Sequence, residues 1–254
     1  MIAELHAAAD ALGTDDNVRV VVLAAAGKTF CAGGDLGWMR DQMQADAATR
    51  AAEAGKLAHM LHALNTMPKP LIGALHGNAF GGGVGMASVC DVAIGADHIK
   101  LGLTETRLGI IPATIGPYVV ARMGEGRARR VFMSSRLFGA AEEEELGQMA
   151  QAVTADSQAA AVEAEVTPYL QCAPGAVAAA KALARSFGPR IDPDTITASI
   201  AALKARRETD EAAEGIDAFF AKRKAARMAP SRVFRSPLRQ RRCALSAGRS
   251  TRNR

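Results

Sequence analysis

The chain has 254 residues, of which 49% are hydrophobic and 22% are charged, a composition typical of a globular protein with a sizeable core. The net charge of +5 arises in residues 222–254, which hold twelve Lys and Arg side chains and no acid. Residues 1–221 hold 19 basic and 26 acidic side chains, so the globular part is acidic, which excludes a basic nucleic-acid-binding domain.

The N-terminal residues, Met1–His6, contain neither a basic region nor an apolar run, so we expect no signal peptide. No apolar stretch approaches the roughly 18 residues that a membrane span needs. The four cysteines are widely spaced and form no CxxC pair, which predicts free thiols in a cytoplasmic protein. The five histidines have no spacing typical of metal ligands, so we expect no metal site.

Apolar spacing and β-branched runs predict alternating strands and helices, which is typical of the α/β class, followed by a C-terminal helical part. The first half is predicted to contain a helix over 2–12, a buried strand over Val18–Leu23, a helix from Asp35 to Thr66, strands over Leu71–Leu75 and Asp91–Ala96, and between these strands a helix from Gly83 to Val89. The second half is predicted to contain an extended segment over Lys100–Leu103, helices over Pro112–Met123, 127–134 and 140–147, and mostly helical segments over 156–187 and 193–223.

Two glycine-rich turns, each placed after an apolar run, are the most informative local features. The first turn is Phe30–Asp35, after the strand that ends at Leu23, and the second is Gly81–Gly85, after Leu71–Leu75. Because glycine has no side chain to block approach, such turns expose backbone N–H groups to a ligand. Two N–H groups that converge on one point would form an oxyanion hole, and Glu105, further along the chain, is the best candidate for a catalytic carboxylate.

Other interpretations of these features stay open at this point. Each turn could be a tight connection that only packs a strand against a helix, and Glu105 could be a solvated surface acid. A dinucleotide site is also conceivable. However, Gly81–Gly85 reads GGGVG rather than G-x-G-x-x-G, and no ribose-binding acid follows in the expected strand context.

Four segments in the same order resemble the enoyl-CoA hydratase/isomerase (crotonase) family. They are Phe30–Asp35, Gly77–Gly83, Cys90-Asp91, and Glu105 followed by Leu108–Pro112. The segment Glu214–Arg223 is also similar to the end of that family's helical part, so the resemblance covers roughly residues 1–224. The sequences of the segments Leu36–Met39 and Pro112–Val120 are similar to those of the subgroup that hydrates methylglutaconyl-CoA-type substrates.

The resemblance implies a crotonase-like spiral of ββα units over residues 1–190, with the family's N-terminal strands missing, and a C-terminal helical trimerisation region over residues 191–227. It implies a homotrimer or homohexamer, an acyl-CoA thioester as the substrate, and no metal or redox cofactor. The late start suggests an incorrect start codon or a truncated chain. Residues 228–254 have no family counterpart and resemble a frameshifted or extended end, so we expect this basic tail to be disordered.

The family motifs also imply roles for single residues. The backbone N–H groups of Ala32 and Gly82 would hold the thioester oxygen, with the positive end of the helix from Gly83 directed at it. Glu105 matches a catalytic glutamate of the family and would act as general acid and base. The neighbouring residues are expected to contact the substrate: Cys31, Gly33, Asp35, Leu36, Trp38, Gly81, Gly83, Gly85 and Pro112.

Three of these positions carry alternatives. Asp35 opens a predicted helix and is favoured as its N-cap. Trp38 could belong to the core as well as to an acyl pocket. Gly85 stands where many hydratases of the family carry a second glutamate. Either Glu105 then serves as both base and acid, or the reaction needs a single carboxylate, as double-bond isomerisation does.

The sequence therefore predicts an enoyl-CoA hydratase that adds water to a 2-enoyl-CoA through an enolate held by two N–H groups. An isomerase that uses Glu105 alone is the first alternative. The second is a catalytically weak, truncated relative whose basic tail adheres to nucleic acid or to an anionic membrane. We do not expect a nucleic-acid partner, because the tail holds a single aromatic residue, Phe234, among its charges.

Overall fold

The structure is a computed structural model that describes residues 1–226. The strands are β1 (Val21–Leu23), β2 (Leu71–Leu75), β3 (Ala79–Phe80), β4 (Val92–Ala96), β5 (Lys100–Gly102), β6 (Leu137–Gly139) and β7 (Gln151–Val153). The helices are α1 (Ile2–Thr14), α2 (Leu36–Gln44), α3 (Ala47–Thr66), α4 (Gly82–Val89), α5 (Gly116–Met123), α6 (Glu125–Phe132), α7 (Ala140–Leu146), α8 (Gln158–Leu170), α9 (Pro174–Phe187), α10 (Pro193–Arg207) and α11 (Asp210–Phe220). Short 3-10 helices span Glu105–Leu108 and Ala155–Ser157.

The strands form two sheets. The first has the order β1-β2-β4-β7 and is parallel throughout, with Ile72 opposite Val92 and Ile94 opposite Gln151. The second has the order β3-β5-β6, in which β3 runs parallel to β5 and β6 runs antiparallel to it. This mixed α/β arrangement with C-terminal helices agrees with the predicted fold class.

The core is aliphatic and is centred on β2, β4 and the helix between them. The runs LIGAL and VAIGA are buried almost throughout, as expected for central parallel strands covered on both faces. Helix α4 packs against β2, and α8 packs against β2 and β4. Every residue of α4 from Gly83 to Val89 is buried, so this helix holds the second glycine turn rigidly in the core.

The C-terminal helices fold back over the first half of the chain. Helix α10 packs against α3 and α5, and α11 packs against the 3-10 helix Glu105–Leu108. The division at residues 190 and 191 stays a prediction, and the tail 228–254 lies outside the described residues. None of the helices in residues 1–226 combines the length and the apolar character that crossing a membrane requires.

Two boundaries predicted in the first half of the chain are wrong. The strand predicted over Val18–Leu23 is limited to the three residues of β1, and it is an edge strand rather than a buried one, with Val22 44% exposed. The single helix predicted from Asp35 to Thr66 is two helices, because Asp46 caps α3 by accepting a hydrogen bond from Thr49 N at 2.7 Å. Because the residues on both sides of Asp46 favour a helix, the sequence pattern does not reveal this internal cap.

The second half also differs from its prediction. The strands β6 and β7 were not predicted, since three residues are too few to show an alternating pattern. The helix predicted from Pro112 begins at Gly116, with Pro117 in its first turn, where proline is tolerated. The segments predicted to be mostly helical, 156–187 and 193–223, contain two helices each, α8 and α9 in the first and α10 and α11 in the second. The other helices lie within about two residues of their predicted ends.

The acidic run Glu142–Glu145, which reads as a solvated helix face, is only partly solvated. Glu143 is fully buried and neither of its carboxylate oxygens has a hydrogen-bond partner among the described residues. Burial, followed by the neighbouring charge of Glu142, raises the pKa of Glu143 to about 9. A helix of seven residues with four consecutive glutamates must turn one of them inward, and here that residue is Glu143.

Replacing Glu143 with Gln is expected to stabilise the protein. The pKa of Glu143 is higher in the folded than in the unfolded state, so its burial destabilises the fold increasingly as pH rises above about 4.5. We expect Glu143→Gln to raise the free energy of unfolding by about 3 kcal/mol at pH 7 and to leave it unchanged at pH 4. Urea unfolding at both pH values measures this, with the exposed Glu145→Gln as control. Equal effects of the two variants at pH 7 would contradict the account.

Candidate active site

The first glycine turn begins at an isolated parallel β-bridge to the second sheet. Cys31 pairs with Ala79, with Cys31 N donating to the carbonyl of Asn78 at 3.1 Å and Phe80 N donating to the carbonyl of Cys31 at 2.9 Å. Both segments run in the same direction past this bridge. Ala32, directly after Cys31, and Gly81, two residues after Ala79, therefore leave the bridge at the same end.

The second glycine turn requires glycine at two positions. Gly81 has φ +51° and ψ −112°, a conformation that residues with a side chain rarely adopt. Gly83 lies against the first turn, since a Cβ placed there would be 2.7 Å from the Cβ of Cys31 and 3.2 Å from that of Ala79. The absence of a side chain at Gly83 thus lets the start of α4 approach the first turn closely.

Two backbone N–H groups in this junction have no acceptor within residues 1–226. At the start of α4, the N–H groups of Val84 and Gly85 donate to the carbonyl of Gly81. No acceptor within the described residues takes the N–H of Gly82 or that of Ala32. The first N–H groups of a helix carry its positive end, so a developing negative charge beside Gly82 would be stabilised.

Glu105 reaches the same junction from the second sheet. Gly81 N donates to the carbonyl of Gly102 at the end of β5 at 3.0 Å, and Glu105 opens the 3-10 helix three residues later. A Cβ placed at Gly81 would lie 3.1 Å from Oε1 of Glu105, so this oxygen lies directly against the second turn. A carboxylate and two free N–H groups are thus brought together from three separate parts of the chain.

The environment of Glu105 suits proton transfer near neutral pH. Its Oε2 is buried and has no hydrogen-bond partner among the described residues. Burial raises the pKa of Glu105 from 4.5 to about 7, because the charged form loses its hydration. A group with this pKa both accepts and releases a proton readily at physiological pH.

Ser135 holds the turn that carries Glu105, and sequence reasoning did not identify it. The hydroxyl of Ser135 accepts a hydrogen bond from Arg107 N at 3.0 Å and lies 2.5 Å from the hydroxyl of Thr106. Ser135 itself has φ +47°. Its contacts fix the two residues after Glu105, and only the folded chain shows them, because Ser135 lies in the connection before β6.

The remaining predicted site residues differ in where the structure places them. Asp35 caps α2 by accepting a hydrogen bond from Trp38 N at 2.8 Å, so its predicted role as a helix cap is confirmed. Cys31, Gly33 and Gly81 lie in the junction itself, whereas Leu36 is 53% exposed at the start of α2. Three others are buried: Gly83, Gly85 and Pro112.

Gly85 lies in the core and faces α5 rather than open space. A Cβ placed there would lie 2.9 Å from Cβ of Ile115 and would overlap its Cγ2. Ile115 is 2% exposed and β-branched, so it cannot move aside easily. Many hydratases of the family that this chain resembles carry a second glutamate at this position. Here the position has no carboxylate, and packing against Ile115 leaves no room for a larger side chain.

Replacing Gly85 with Glu is expected to destabilise the protein without providing a second catalytic group. Overpacking against Ile115 and burial of an unpaired carboxylate should together lower the free energy of unfolding by more than about 3 kcal/mol. Denaturant unfolding measures this. Gly126→Glu is the control, since Gly126 lies exposed on α6 with no atom within 4 Å of its Cβ position. A stable Gly85→Glu protein with faster hydration would show that the site has room.

A pocket beside the junction contains residues that the sequence did not single out. It has a volume of about 110 Å³ and lies between α2, the start of α3, the segment after the 3-10 helix, and the C-terminal helices. We call it the arginine pocket, after Arg50 and Arg207. Its lining residues include Met39, Gln42, Arg50, Ile110, Arg207 and Ile216. These residues come from five separate segments, so no local motif could have predicted the pocket.

Known proteins resemble this chain in sequence and in fold. The family model described as Enoyl-CoA hydratase/isomerase matches residues 1–227. A Thermus thermophilus protein whose name also refers to enoyl-CoA hydratase is 32% identical over 226 residues, which are 88% of each chain. A solved enoyl-CoA hydratase from Shewanella pealeana superposes with a TM-score of 0.72 at 33% identity, covering 89% of this chain and 84% of that one.

A second solved structure, an enoyl-CoA hydratase from Mycobacterium avium, superposes with a TM-score of 0.76 at 28% identity and covers 88% of this chain and 85% of that one. The similarity thus extends over nearly the whole described chain, in sequence and in fold. With its crotonase fold, this chain belongs to the enoyl-CoA hydratase/isomerase family.

Proposed function

We propose that this protein is an enoyl-CoA hydratase that adds water across the double bond of a 2-enoyl-CoA thioester. The observation that carries the proposal is that Oε1 of Glu105 lies against the second glycine turn. The N–H of Gly82 in this turn, like that of Ala32, has no acceptor within the described residues. A carboxyl with a pKa of about 7 beside two N–H donors is what proton transfer on a thioester requires.

In the proposed reaction, the thioester oxygen accepts hydrogen bonds from the N–H groups of Ala32 and Gly82. The ionised carboxylate of Glu105 takes a proton from water as the water oxygen bonds to Cβ. The electron pair of the double bond moves toward the thioester, and the resulting enolate oxygen is stabilised by the two donors. Glu105 then delivers its proton to Cα, so that H and OH have been added and Glu105 is again ionised.

An enoyl-CoA isomerase is the second candidate, and the closed position of Gly85 favours it. Isomerisation needs only one carboxylate. Glu105 would remove a proton from Cα of a 3-enoyl-CoA, the oxyanion would be held as above, and the same proton would return at Cγ. Neither reaction requires a metal or a redox cofactor, because only protons and water are exchanged. The homotrimer or homohexamer implied by the family belongs to the same proposal.

The experiment that tests the proposal identifies the products by mass. Purified protein is incubated with crotonyl-CoA, with 3-methylglutaconyl-CoA and with a 3-enoyl-CoA. A gain of one water on a 2-enoyl-CoA supports the hydratase, and an unchanged mass with a moved double bond supports the isomerase. If a folded sample converts none of the three, both proposals are wrong and the catalytically weak relative is favoured.

A further inference from the structure

The arginine pocket contains two guanidinium groups that no carboxylate within the described residues neutralises. Neither Arg50 nor Arg207 forms an ion pair with a carboxylate of residues 1–226. The carboxylate of Asp46 lies close enough to Arg50 to feel its charge, but it already accepts from Thr49 N as the cap of α3. An arginine pair without a counter-ion is unusual in a half-buried location, because each charge disfavours the other.

Burial and mutual repulsion act on this pair together. Arg207 lies with its guanidinium carbon 5.6 Å from the centre of the Trp38 ring, an arrangement that holds the planar group in place. Burial, and then the charge of Arg50, lower the pKa of Arg207. An anion placed between the two guanidinium groups would relieve this repulsion and accept several charge-assisted hydrogen bonds.

Two further polar atoms of the pocket lack partners in the part of the chain that the structure describes. Nε of Arg50 is buried without an acceptor, and Oε1 of Gln42 is buried without a donor. Gln42 is only 7% exposed, although it stands on a surface helix and lines the pocket. Buried polar groups normally find partners, and an anionic ligand would supply the acceptor that Nε of Arg50 lacks.

The pocket adjoins the reacting centre. Ile110, one of its lining residues, donates its backbone N–H to the carbonyl of Glu105 at 3.1 Å. On the other side, a Cβ placed at Gly34 of the first glycine turn would lie 3.5 Å from Cγ of Met39, another lining residue. The pocket thus lies against both the first glycine turn, which carries Ala32, and the segment that carries Glu105.

From these observations we infer that the arginine pocket binds a carboxylate at the far end of the acyl chain, so that the substrates are enoyl-CoA thioesters of dicarboxylic acids. The inference rests on the proposed function, because it places the thioester in the junction beside Glu105. Met39, Ile110 and Ile216 would pack against the chain, while Arg50 and Arg207 would hold the carboxylate. Gln42 would donate through its amide nitrogen to the same group.

The phosphate groups of coenzyme A could also supply an anion, and the experiment must separate the two sources. Apolar walls from Met39, Ile110 and Ile216 favour the acyl carboxylate, since a phosphate would gain nothing from them. The probes are therefore glutaryl-CoA, its isosteric neutral analogue 5-methylhexanoyl-CoA, and the pantetheine thioesters of the same two acyl groups, which lack these phosphates. None of the four is an enoyl thioester, so binding is measured without turnover.

Binding is followed by the fluorescence of Trp38, the one tryptophan of the chain, which Arg207 overlies. We expect the full-length protein to bind glutaryl-CoA about 10- to 100-fold more tightly than 5-methylhexanoyl-CoA, as charge-assisted hydrogen bonds imply. Arg50→Gln and Arg207→Gln should each remove most of this preference by weakening only the glutaryl compounds. Arg129→Gln, an exposed residue on α6, should preserve it.

Three results would overturn the inference. The first is equal affinity of the unaltered protein for the two CoA thioesters. The second is an equal loss of affinity for both CoA thioesters in the arginine variants. The third is equal affinity of the unaltered protein for glutaryl-pantetheine and for the pantetheine thioester of the neutral acyl group. The second would assign the arginines to the coenzyme A phosphates. Failure of the proposed function is seen separately in the product masses, since the binding preference does not require turnover.

Discussion

Glu105→Gln is expected to lower kcat/KM by about 10²- to 10⁴-fold, since glutamine can neither accept the proton of water nor return it to carbon. The amide matches the carboxyl group in size, so the junction of the two turns should keep its shape. A mass-based activity assay with crotonyl-CoA measures the loss. Activity within about threefold of the unaltered protein would remove Glu105 from the mechanism.

The same substitution is expected to stabilise the fold, which separates loss of chemistry from loss of structure. The pKa of Glu105 is about 7 when folded, above its usual value of 4.5, so its burial destabilises the protein increasingly between these pH values. Glu105→Gln should therefore raise the free energy of unfolding by about 3 kcal/mol at pH 8 and leave it unchanged at pH 4. Glu125→Gln, on an exposed helix start, is the control. A destabilised Glu105→Gln protein would show that the carboxylate is paired in solution.

The pH dependence of activity follows from the same pKa. Addition of water begins with ionised Glu105, so kcat/KM for hydration should rise with pH through about 7 and then level off. The residual kcat/KM of Glu105→Gln should not rise with pH in this range. A flat profile between pH 6 and 8 in the unaltered protein would contradict the assignment of Glu105 as the base.

Gly82→Pro is expected to lower kcat by about 10²- to 10³-fold, because proline removes the N–H that would donate to the thioester oxygen. Gly82 is the first residue of α4, a position at which proline is well tolerated, and no atom lies within 4 Å of its Cβ position. The fold should therefore survive, which circular dichroism and thermal unfolding verify.

The matched variant for this comparison is Gly82→Ala, which adds a Cβ and keeps the N–H. The difference in kcat between the alanine and proline variants isolates the hydrogen-bond donor from the loss of glycine. We expect the proline variant to be slower than the alanine variant by the full factor given above. Equal activities of the two would mean that Gly82 N–H does not stabilise the transition state.

The junction could be predicted because its requirements are local. A tight approach of backbone to ligand, or of one turn to another, needs glycine, so Gly81 and Gly83 mark the second turn in the sequence itself. The order of the two turns and Glu105 along the chain then places the three parts at one end of neighbouring strands. The environment that raises the pKa of Glu105 depends on tertiary burial and could not be predicted.

The arginine pocket and the burial of Glu143 could not be predicted for the same physical reason. Arg50 and Arg207 belong to helices far apart in the chain, and each alone is typical of a solvated helix face. Glu143 is one of four consecutive glutamates, and only the packing of α7 decides which of them is buried. In both cases, neighbours distant in sequence determine the environment of the charge.

The most direct test of the account compares the unaltered protein with Glu105→Gln in D₂O, using a 2-enoyl-CoA and a 3-enoyl-CoA as substrates. The account predicts that the unaltered protein adds D₂O to the 2-enoyl-CoA, with one deuterium bound to Cα, and that Glu105→Gln adds almost none at equal concentration. Equal deuterium incorporation by the two proteins on both substrates would contradict it, because the proton would then be carried by a group other than Glu105.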